Sequence, residues 1–147
     1  MNFPVFVKDD SFSMNKTGSK SGSNTKPRFY IRVACVNGKI AFCKITSKNK
    51  NFNDNYFRLP MKNLTMKDSK KNKFKNESYV DKTLFTMVNG KYINDVKESD
   101  YLDLEFDKKS SKVIFDFLME SPKNIERFKK FCKDNSLKMI DFDIKMK

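Results

Sequence analysis

The chain has 147 residues, which suits one domain with a core and a flexible arm, and it carries a formal net charge of +13. It contains no histidine, which excludes Ser-His and Cys-His catalytic dyads and histidine-ligated metal sites. Its four glycines form no nucleotide-binding spacing. The sequence therefore predicts a protein that is not an enzyme and that needs no cofactor or metal.

Three cysteines, Cys35, Cys43 and Cys132, are an odd and sparse set. Such a set is typical of free thiols in a reducing compartment rather than of a disulfide framework. No apolar run approaches the roughly 18 residues of a membrane span. We therefore expect a cytoplasmic protein with no membrane partner.

The positive charge is concentrated in one stretch of the chain. Residues 11–80 hold sixteen basic and three acidic residues, whereas residues 1–10 have a net charge of −1 and residues 81–147 of +1. The codon bias of an AT-rich genome raises lysine and asparagine everywhere, but it does not remove acidic residues from one stretch. The asymmetry favours a polyanionic partner, and nucleic acid is the partner that we expect.

The N-terminal residues predict one strand and one arm. Within residues 1–10, a short edge strand is predicted at residues 3–7, because Pro4 cannot donate to a sheet ladder. Residues 11–27 are polar, basic and rich in Gly and Ser, without an apolar period. They are predicted to form a flexible loop or arm.

The first strong element is a hairpin over residues 28–46, in which two alternating runs flank Asn37-Gly38. Asn-Gly favours a type I′ turn, and a two-residue turn fixes the register. One face is predicted to be core and carries Phe29, Ile31, Val33, Cys35, Ile40 and Phe42. The other face is mixed and carries Tyr30, Arg32, Ala34, Lys39, Ala41 and Cys43.

The middle of the chain predicts basic loops and a second hairpin. Residues 47–80 are the most basic and asparagine-rich part of the chain and are predicted to be loops, apart from a short strand at 56–59 that stops at Pro60. Asn89-Gly90 predicts a second hairpin, which joins residues 83–88 to residues 91–93.

A third hairpin is predicted around residues 108–111. Its inner face would carry Leu102, Leu104, Phe106, Val113, Phe115 and Phe117, and its outer face would carry Asp103, Glu105, Asp107 and Asp116. The acidic outer face would repel phosphate, so we expect it to point away from nucleic acid.

The C-terminal region predicts one helix and one strand. Ser121-Pro122 is a helix start, with Ser as the N-cap and Pro at the first helical position. An apolar stripe follows at helical spacing: Ile125, Phe128, Phe131 and Cys132. Asn135 is predicted as the C′ residue. The tail alternates at Ile140, Phe142, Ile144 and Met146, which predicts a final strand.

Together these elements predict one mainly-β domain at residues 28–147. It is built of antiparallel hairpins in an open OB-like barrel or sandwich, with one helix in the C-terminal region at about 121–135.

Cations and aromatic residues are interleaved over residues 28–75. Cations neutralise phosphates and release counterions, and aromatic rings stack on unpaired bases. Phe29 and Phe42 fit the core better, whereas Tyr30 fits core and stacking roles equally well. The candidate nucleic-acid-binding residues are Tyr30, Arg32, Lys39, Lys48, Lys50, Phe52, Tyr56, Phe57, Arg58, Lys62, Lys70, Lys71, Lys73, Phe74 and Lys75.

Lysine supplies 27 of the 31 cations. Arginine is the residue that reads bases through paired hydrogen bonds, whereas lysine acts as a point charge. The composition therefore favours sequence-tolerant binding to the nucleic-acid backbone.

The Asn37-Gly38 and Asn89-Gly90 hairpins, the basic stretch at 28–75 and the single capped helix resemble an OB-fold-type single-stranded DNA-binding protein. The Lys-, Asn-, Phe- and Ile-rich composition without His or Trp also resembles proteins of the AT-rich linear killer plasmids of yeast cytoplasm, which include a small single-strand binder. The resemblance implies a protein that supports DNA replication and coats plasmid DNA in the cytoplasm. Many replicative single-strand binders end in an acidic tail, whereas this chain ends in Lys145-Met146-Lys147, which argues against partner recruitment through such a tail.

Other functions stay open from the sequence. A factor that binds duplex DNA or DNA ends would need the same charge but not the aromatic residues. A structural or adaptor protein could dock on an acidic replication or transcription partner. RNA is not separated from DNA, because nothing in the sequence indicates a 2′-hydroxyl contact.

Overall fold

Seven strands form one antiparallel sheet in the computed structural model, which describes residues 2–9, 27–36, 38–46, 56–59, 78–82, 86–88 and 96–142. The strands are β1 (Pro4–Asp9), β2 (Pro27–Val36), β3 (Lys39–Thr46), β4 (Tyr56–Arg58), β5 (Tyr79–Asp81), β6 (Thr86–Val88) and β7 (Tyr101–Glu105). Their order is β4-β5-β3-β2-β1-β7, and β6 also pairs with β3. The sheet is open, with β4 and β7 at the ends of this order.

Two helices follow the last strand, α1 (Lys108–Leu118) and α2 (Pro122–Asp134), and 3-10 turns lie at Glu98–Asp100 and Met139–Phe142. The predicted mainly antiparallel β fold with a helix in the C-terminal region is therefore confirmed.

The strand predicted near the N-terminus is present, but the prediction that it lies at an edge is wrong. β1 lies between β2 and β7, so it is paired on both sides. Pro4 is tolerated because it is the first residue of β1, at the end of the ladder.

The hairpin predicted at Asn37-Gly38 is confirmed, since Val36 pairs with Lys39 and Gly38 has the positive φ, 76°, that the turn requires. The register then shifts, because Ala34 pairs with Ala41 whereas Arg32 pairs with Phe42. Val33 is the extra residue of a β-bulge. Because of this extra residue, the side chains of β2 before Val33 lie on the opposite face from the one that a regular hairpin would give them. The predicted distribution of side chains over the two faces is therefore wrong: Tyr30 packs with Ile40 and Phe42.

The third predicted hairpin is wrong, because residues 108–118 form helix α1. The Asp107 carboxylate caps this helix by accepting a hydrogen bond from the Ser110 N–H at 2.7 Å. The buried residues recur at helical spacing, as Ser111, Ile114, Phe115 and Leu118 show, whereas Val113 is 41% exposed. A tight hairpin turn favours Gly or Asn, and residues 108–111 contain neither.

Of the predicted acidic strand face only β7 remains, where Glu105 alternates with the buried Leu104 and lies on the same face as Tyr101. Asp107 is a helix cap, and Asp116 lies on α1, where it pairs with Lys112 at 2.9 Å. Glu105, on β7, accepts a hydrogen bond from the Asn2 side chain at 3.2 Å. The acidic residues are thus spread over several elements.

The predicted helix in the C-terminal region is confirmed as α2, with the Ser121 hydroxyl accepting from the Asn124 N–H at 3.4 Å. Phe128, Phe131 and Cys132 are buried as predicted. The left-handed residue after the helix is Ser136, at φ 56°, rather than Asn135. The predicted final strand is wrong at 139–142, which form a 3-10 turn, and residues 143–147 lie outside the described part.

Both helices pack on one face of the sheet, where they form the main core with residues of five strands. Phe115 of α1 lies against Phe3, Phe128 and Phe142, with ring centroids 6.5, 5.3 and 5.9 Å apart. The buried Ser111 hydroxyl accepts from the Phe3 N–H at 3.0 Å and donates to the Phe106 carbonyl at 3.1 Å. Rings and hydroxyl together fix α1 on the sheet.

Several predicted segments lie outside the described residues. The arm at 11–27 is described only at Pro27, which begins β2. Within the predicted basic loops at 47–80, the structure describes 56–59 and 78–80, and it confirms the strand at Tyr56–Arg58. In the second predicted hairpin, β6 pairs with β3, and residues 91–93 are outside the described ranges.

Candidate nucleic-acid interface

The sheet has two faces with different packing. We call the face that packs on α1 and α2 the helix face, and the opposite face the distal face. The distal face is built around a small second cluster of Phe6, Tyr30, Ile40 and Phe42. It exists because the bulge at Val33 turns Tyr30 and Arg32 to the side of Phe42.

Tyr30 lies inside this second cluster and not on a surface where a base could stack. Its side chain is 0% exposed. Its ring stacks on Phe6 at 5.3 Å and meets Phe42 edge-on at 5.6 Å. Turning the ring outward would lose both contacts, so the structure favours the core role for Tyr30 and removes it from the stacking candidates.

Arg32 is a candidate cation whose side chain is held by contacts with Tyr101. It is half-buried on the distal face, and its guanidinium donates to the Tyr101 hydroxyl at 3.1 Å. The same guanidinium lies 5.2 Å from the centroid of the Tyr101 ring. These two contacts hold the side chain in one place while leaving further guanidinium N–H groups for an anion.

Tyr101 was not found from the sequence. It begins β7, more than sixty positions from Arg32, and it reaches Arg32 only because β1 lies between β2 and β7. Its local sequence is an alternating strand, which carries no sign of a contact with a cation. The contact between Arg32 and Tyr101 follows only from the strand order of the folded sheet.

Three more cations share the distal face. Cross-strand pairing places Lys8 opposite Arg28, and Lys44 opposite Tyr30. Directly opposed like charges destabilise a sheet, so this arrangement is unfavourable without an anion nearby. We name Lys8, Arg28, Arg32 and Lys44 the distal cations.

Asp100 supplies one such anion, since its carboxylate lies 2.9 Å from the Lys8 ammonium. Burial alone would raise the pKa of Asp100. The Lys97 N–H, which donates to its carboxylate at 2.7 Å, and the charge of Lys8 both lower this pKa, and together they hold it below its usual value. The stabilisation from the pair is therefore present at neutral pH and is lost as the pH falls through the lowered pKa.

Replacing Asp100 with asparagine should raise the affinity for nucleic acid, because it frees Lys8 for a phosphate. The slope of log K against log salt for a single strand should steepen by about 0.7. Stability at neutral pH should fall by no more than about 1 kcal/mol, as for other partly exposed pairs. Fluorescence anisotropy with a labelled oligonucleotide measures both affinity and slope.

Asp116→Asn is the matched control, because it makes the same charge change and breaks a lysine pair of the same length, 2.9 Å, on α1. It should leave the slope unchanged. Equal effects of the two variants would show that the distal face is not the interface.

Among the candidates whose side chains are described, Lys39 and Tyr56 lie apart from Arg32. Lys39 is half-buried at the turn and shares its face with Ala41 and Cys43, which point to the helices. Tyr56 is half-buried on β4, at the far side of the sheet from β7. Phe57 and Arg58 are described only through the backbone pairing of β4. The other candidates lie outside the described ranges: Lys48, Lys50, Phe52, Lys62, Lys70, Lys71, Lys73, Phe74 and Lys75.

A second group of cations lies on the opposite side of the sheet. Lys123, Lys129, Lys130 and Lys133 of α2 are exposed, and none of them makes an ion pair within the part of the chain that the structure describes. Because α2 packs on the helix face, these lysines point away from the distal cations. They offer a natural control for charge changes.

The fold and the site thus define an open antiparallel sheet with two helices on one face and four cations around an aromatic cluster on the other. Comparisons with protein-family models, curated proteins and solved structures find no match for this chain. No helix among the described residues is long and apolar enough to cross a membrane. Within the same residues, no group of three or more acidic, Cys or His side chains is placed to hold a metal ion.

Proposed function

We propose that this protein binds single-stranded DNA without strong sequence preference, mainly through its phosphates. The observation that carries the proposal is the placement of Arg32 on the distal face, held by Tyr101 and accompanied by Lys8, Arg28 and Lys44. The aromatic cluster itself is buried, so a bound strand would run along its rim, where it would meet four cations drawn from three adjacent strands. The charge surplus of residues 11–80 supports the same reading.

Phosphate contacts supply most of the affinity in this mechanism. Each neutralised phosphate releases bound counterions, and the affinity gained in this way does not depend on base identity. Base stacking would add to it through Tyr56, which is half-buried on β4, and through Phe52 and Phe74 of the stretch that the sequence predicts to form basic loops. The proposed role in plasmid DNA replication in the cytoplasm rests on the resemblance in composition and layout.

The form of nucleic acid is tested by titrating an oligonucleotide and its blunt duplex, matched in phosphate number, at low salt. The single strand should bind at least about fivefold more tightly, because one stacked base contributes roughly 1 kcal/mol or more. Equal or tighter binding of the duplex would contradict the proposal and favour a duplex or DNA-end factor. Weak, non-saturating binding to both forms would favour an adaptor that docks on an acidic protein.

A further inference from the structure

A cavity of about 230 Å³ lies where β2 runs past the end of β1. The last pair between these strands is Val5 with Ile31, yet β2 continues to Val36. Phe3 turns away from β2, since its N–H donates to the Ser111 hydroxyl and its carbonyl accepts from the Phe106 N–H at 2.9 Å. Strands β1 and β2 therefore separate beyond the Val5–Ile31 pair, and the cavity lies in the gap between them.

The cavity combines an apolar floor with a polar rim. Phe3, Leu137 and Phe142 contribute to the floor, and Arg32 and Cys35 line the side that belongs to the distal face. Along Val33–Val36, no described strand pairs with the β1 side of β2. The backbone N–H and C=O groups on this side are therefore placed to bond a ligand that carries both donors and acceptors.

The volume of the cavity and the charge of Arg32 limit the class of ligand that the cavity can bind. The volume is below the roughly 300 Å³ at which sites for drug-sized ligands begin, so it suits one planar ring system. Arg32 belongs both to the cavity rim and to the distal cations, so the cavity is continuous with the proposed interface. An apolar peptide side chain would fit the volume, but it has no acceptor for the Arg32 guanidinium at the rim.

We propose that this cavity receives one nucleobase of the bound strand while Arg32 holds a neighbouring phosphate. The inference rests on the proposed function and adds a base-binding position to it. The base contacts the apolar floor with its ring and the β2 backbone with its edge. Such contacts tolerate different bases, because every base has an apolar face and a polar edge.

Cys35 provides a direct probe of the cavity. It is exposed and lines the cavity, whereas Cys43 and Cys132 are buried. Burial raises the pKa of Cys132 to about 11 and that of Cys43 further still, so both thiols resist alkylation at neutral pH. Mass spectrometry of the alkylated chain then reports the reaction of Cys35 alone.

A saturating single-stranded oligonucleotide should slow the alkylation of Cys35 about tenfold or more, because the reagent reaches the thiolate only when the cavity is empty. A strand of abasic residues with the same number of phosphates, bound to the same occupancy by anisotropy, should leave the rate nearly unchanged. Cys35→Phe, which fills the cavity mouth, should weaken binding of the normal strand and not of the abasic strand, whereas Cys35→Ser should bind both like the original protein.

The outcomes separate this inference from the proposed function. A normal strand that binds but leaves the Cys35 rate unchanged would overturn the base-binding cavity and leave the proposed function standing. Protection by an extended apolar peptide and not by any oligonucleotide would also overturn it, in favour of a peptide site. Absence of any strand binding at low salt would overturn both.

Discussion

Replacing Ile114 with alanine should lower the free energy of unfolding by about 2–5 kcal/mol, the range for a large aliphatic side chain deleted from a packed core. Ile114 is 0% exposed and lies on α1 in the main cluster. Since domains of this size are stable by only about 5–15 kcal/mol, the variant should lose a large part of its stability. Urea-induced unfolding followed by circular dichroism measures the change.

Val113→Ala is the matched control, because it removes methyl groups from the adjacent residue, which is 41% exposed. It should change stability by no more than about 0.5 kcal/mol. In the hairpin that alternation predicted for this segment, Val113 would share the core face with Phe115, and the two effects would be reversed. A costly Val113→Ala beside a neutral Ile114→Ala would therefore contradict helix α1.

Removing three of the distal cations together, with Arg28→Gln, Arg32→Gln and Lys44→Gln, should weaken single-strand binding about 100-fold at about 0.1 M salt. Each lost phosphate contact removes roughly 0.7 from the salt slope, which is about fivefold in affinity at that salt concentration. The slope itself should become shallower by about 2. Anisotropy titrations over a range of salt concentrations measure both quantities, and thermal unfolding checks that the variant is folded.

The control variant removes the same number of charges from α2, with Lys123→Gln, Lys129→Gln and Lys133→Gln. These lysines are exposed and lie on the helix side of the sheet. Their loss should change affinity much less, because only the long-range field of the protein is reduced. Equal losses in the two variants would show that net charge, rather than the distal face, drives binding.

The elements with local signals could be predicted from the sequence. Asn37-Gly38 predicts the hairpin because few other residues adopt the positive φ that a type I′ turn requires, as Gly38 does, and Ser121-Pro122 predicts the start of α2 through its cap. Helix α1 was missed because its apolar residues satisfy two periods: Val113, Phe115 and Phe117 alternate, while Ile114, Phe115 and Leu118 are helical. The Asp107 cap decides between them: an Asp directly before the segment is also a helix-start signal in the sequence, but the alternating pattern places it on a strand face instead.

The candidate site was predicted in part, for a similar reason. Arg32 was found because it lies in the basic stretch, but a strict two-residue hairpin put Tyr30 and Lys39 beside it. The bulge at Val33 changes this arrangement by burying Tyr30 with Phe6 and Phe42 and by leaving Lys39 on the other face. No residue in 28–46 indicates a bulge, because a valine such as Val33 is equally common in a regular strand. Tyr101 and Lys8 join the site only through the strand order, which is a property of the whole sheet.

The salt dependence of single-strand binding tests the central claim most directly. Lys8 is held by Asp100, so Arg28, Arg32 and Lys44, each contributing about 0.7, predict a slope of log K against log salt of about −2 or steeper. Binding should also saturate, and the single strand should compete successfully with its duplex. A slope shallower than about −1, or the absence of saturable binding at low salt, would contradict the claim that the distal face binds the phosphates of a nucleic-acid strand.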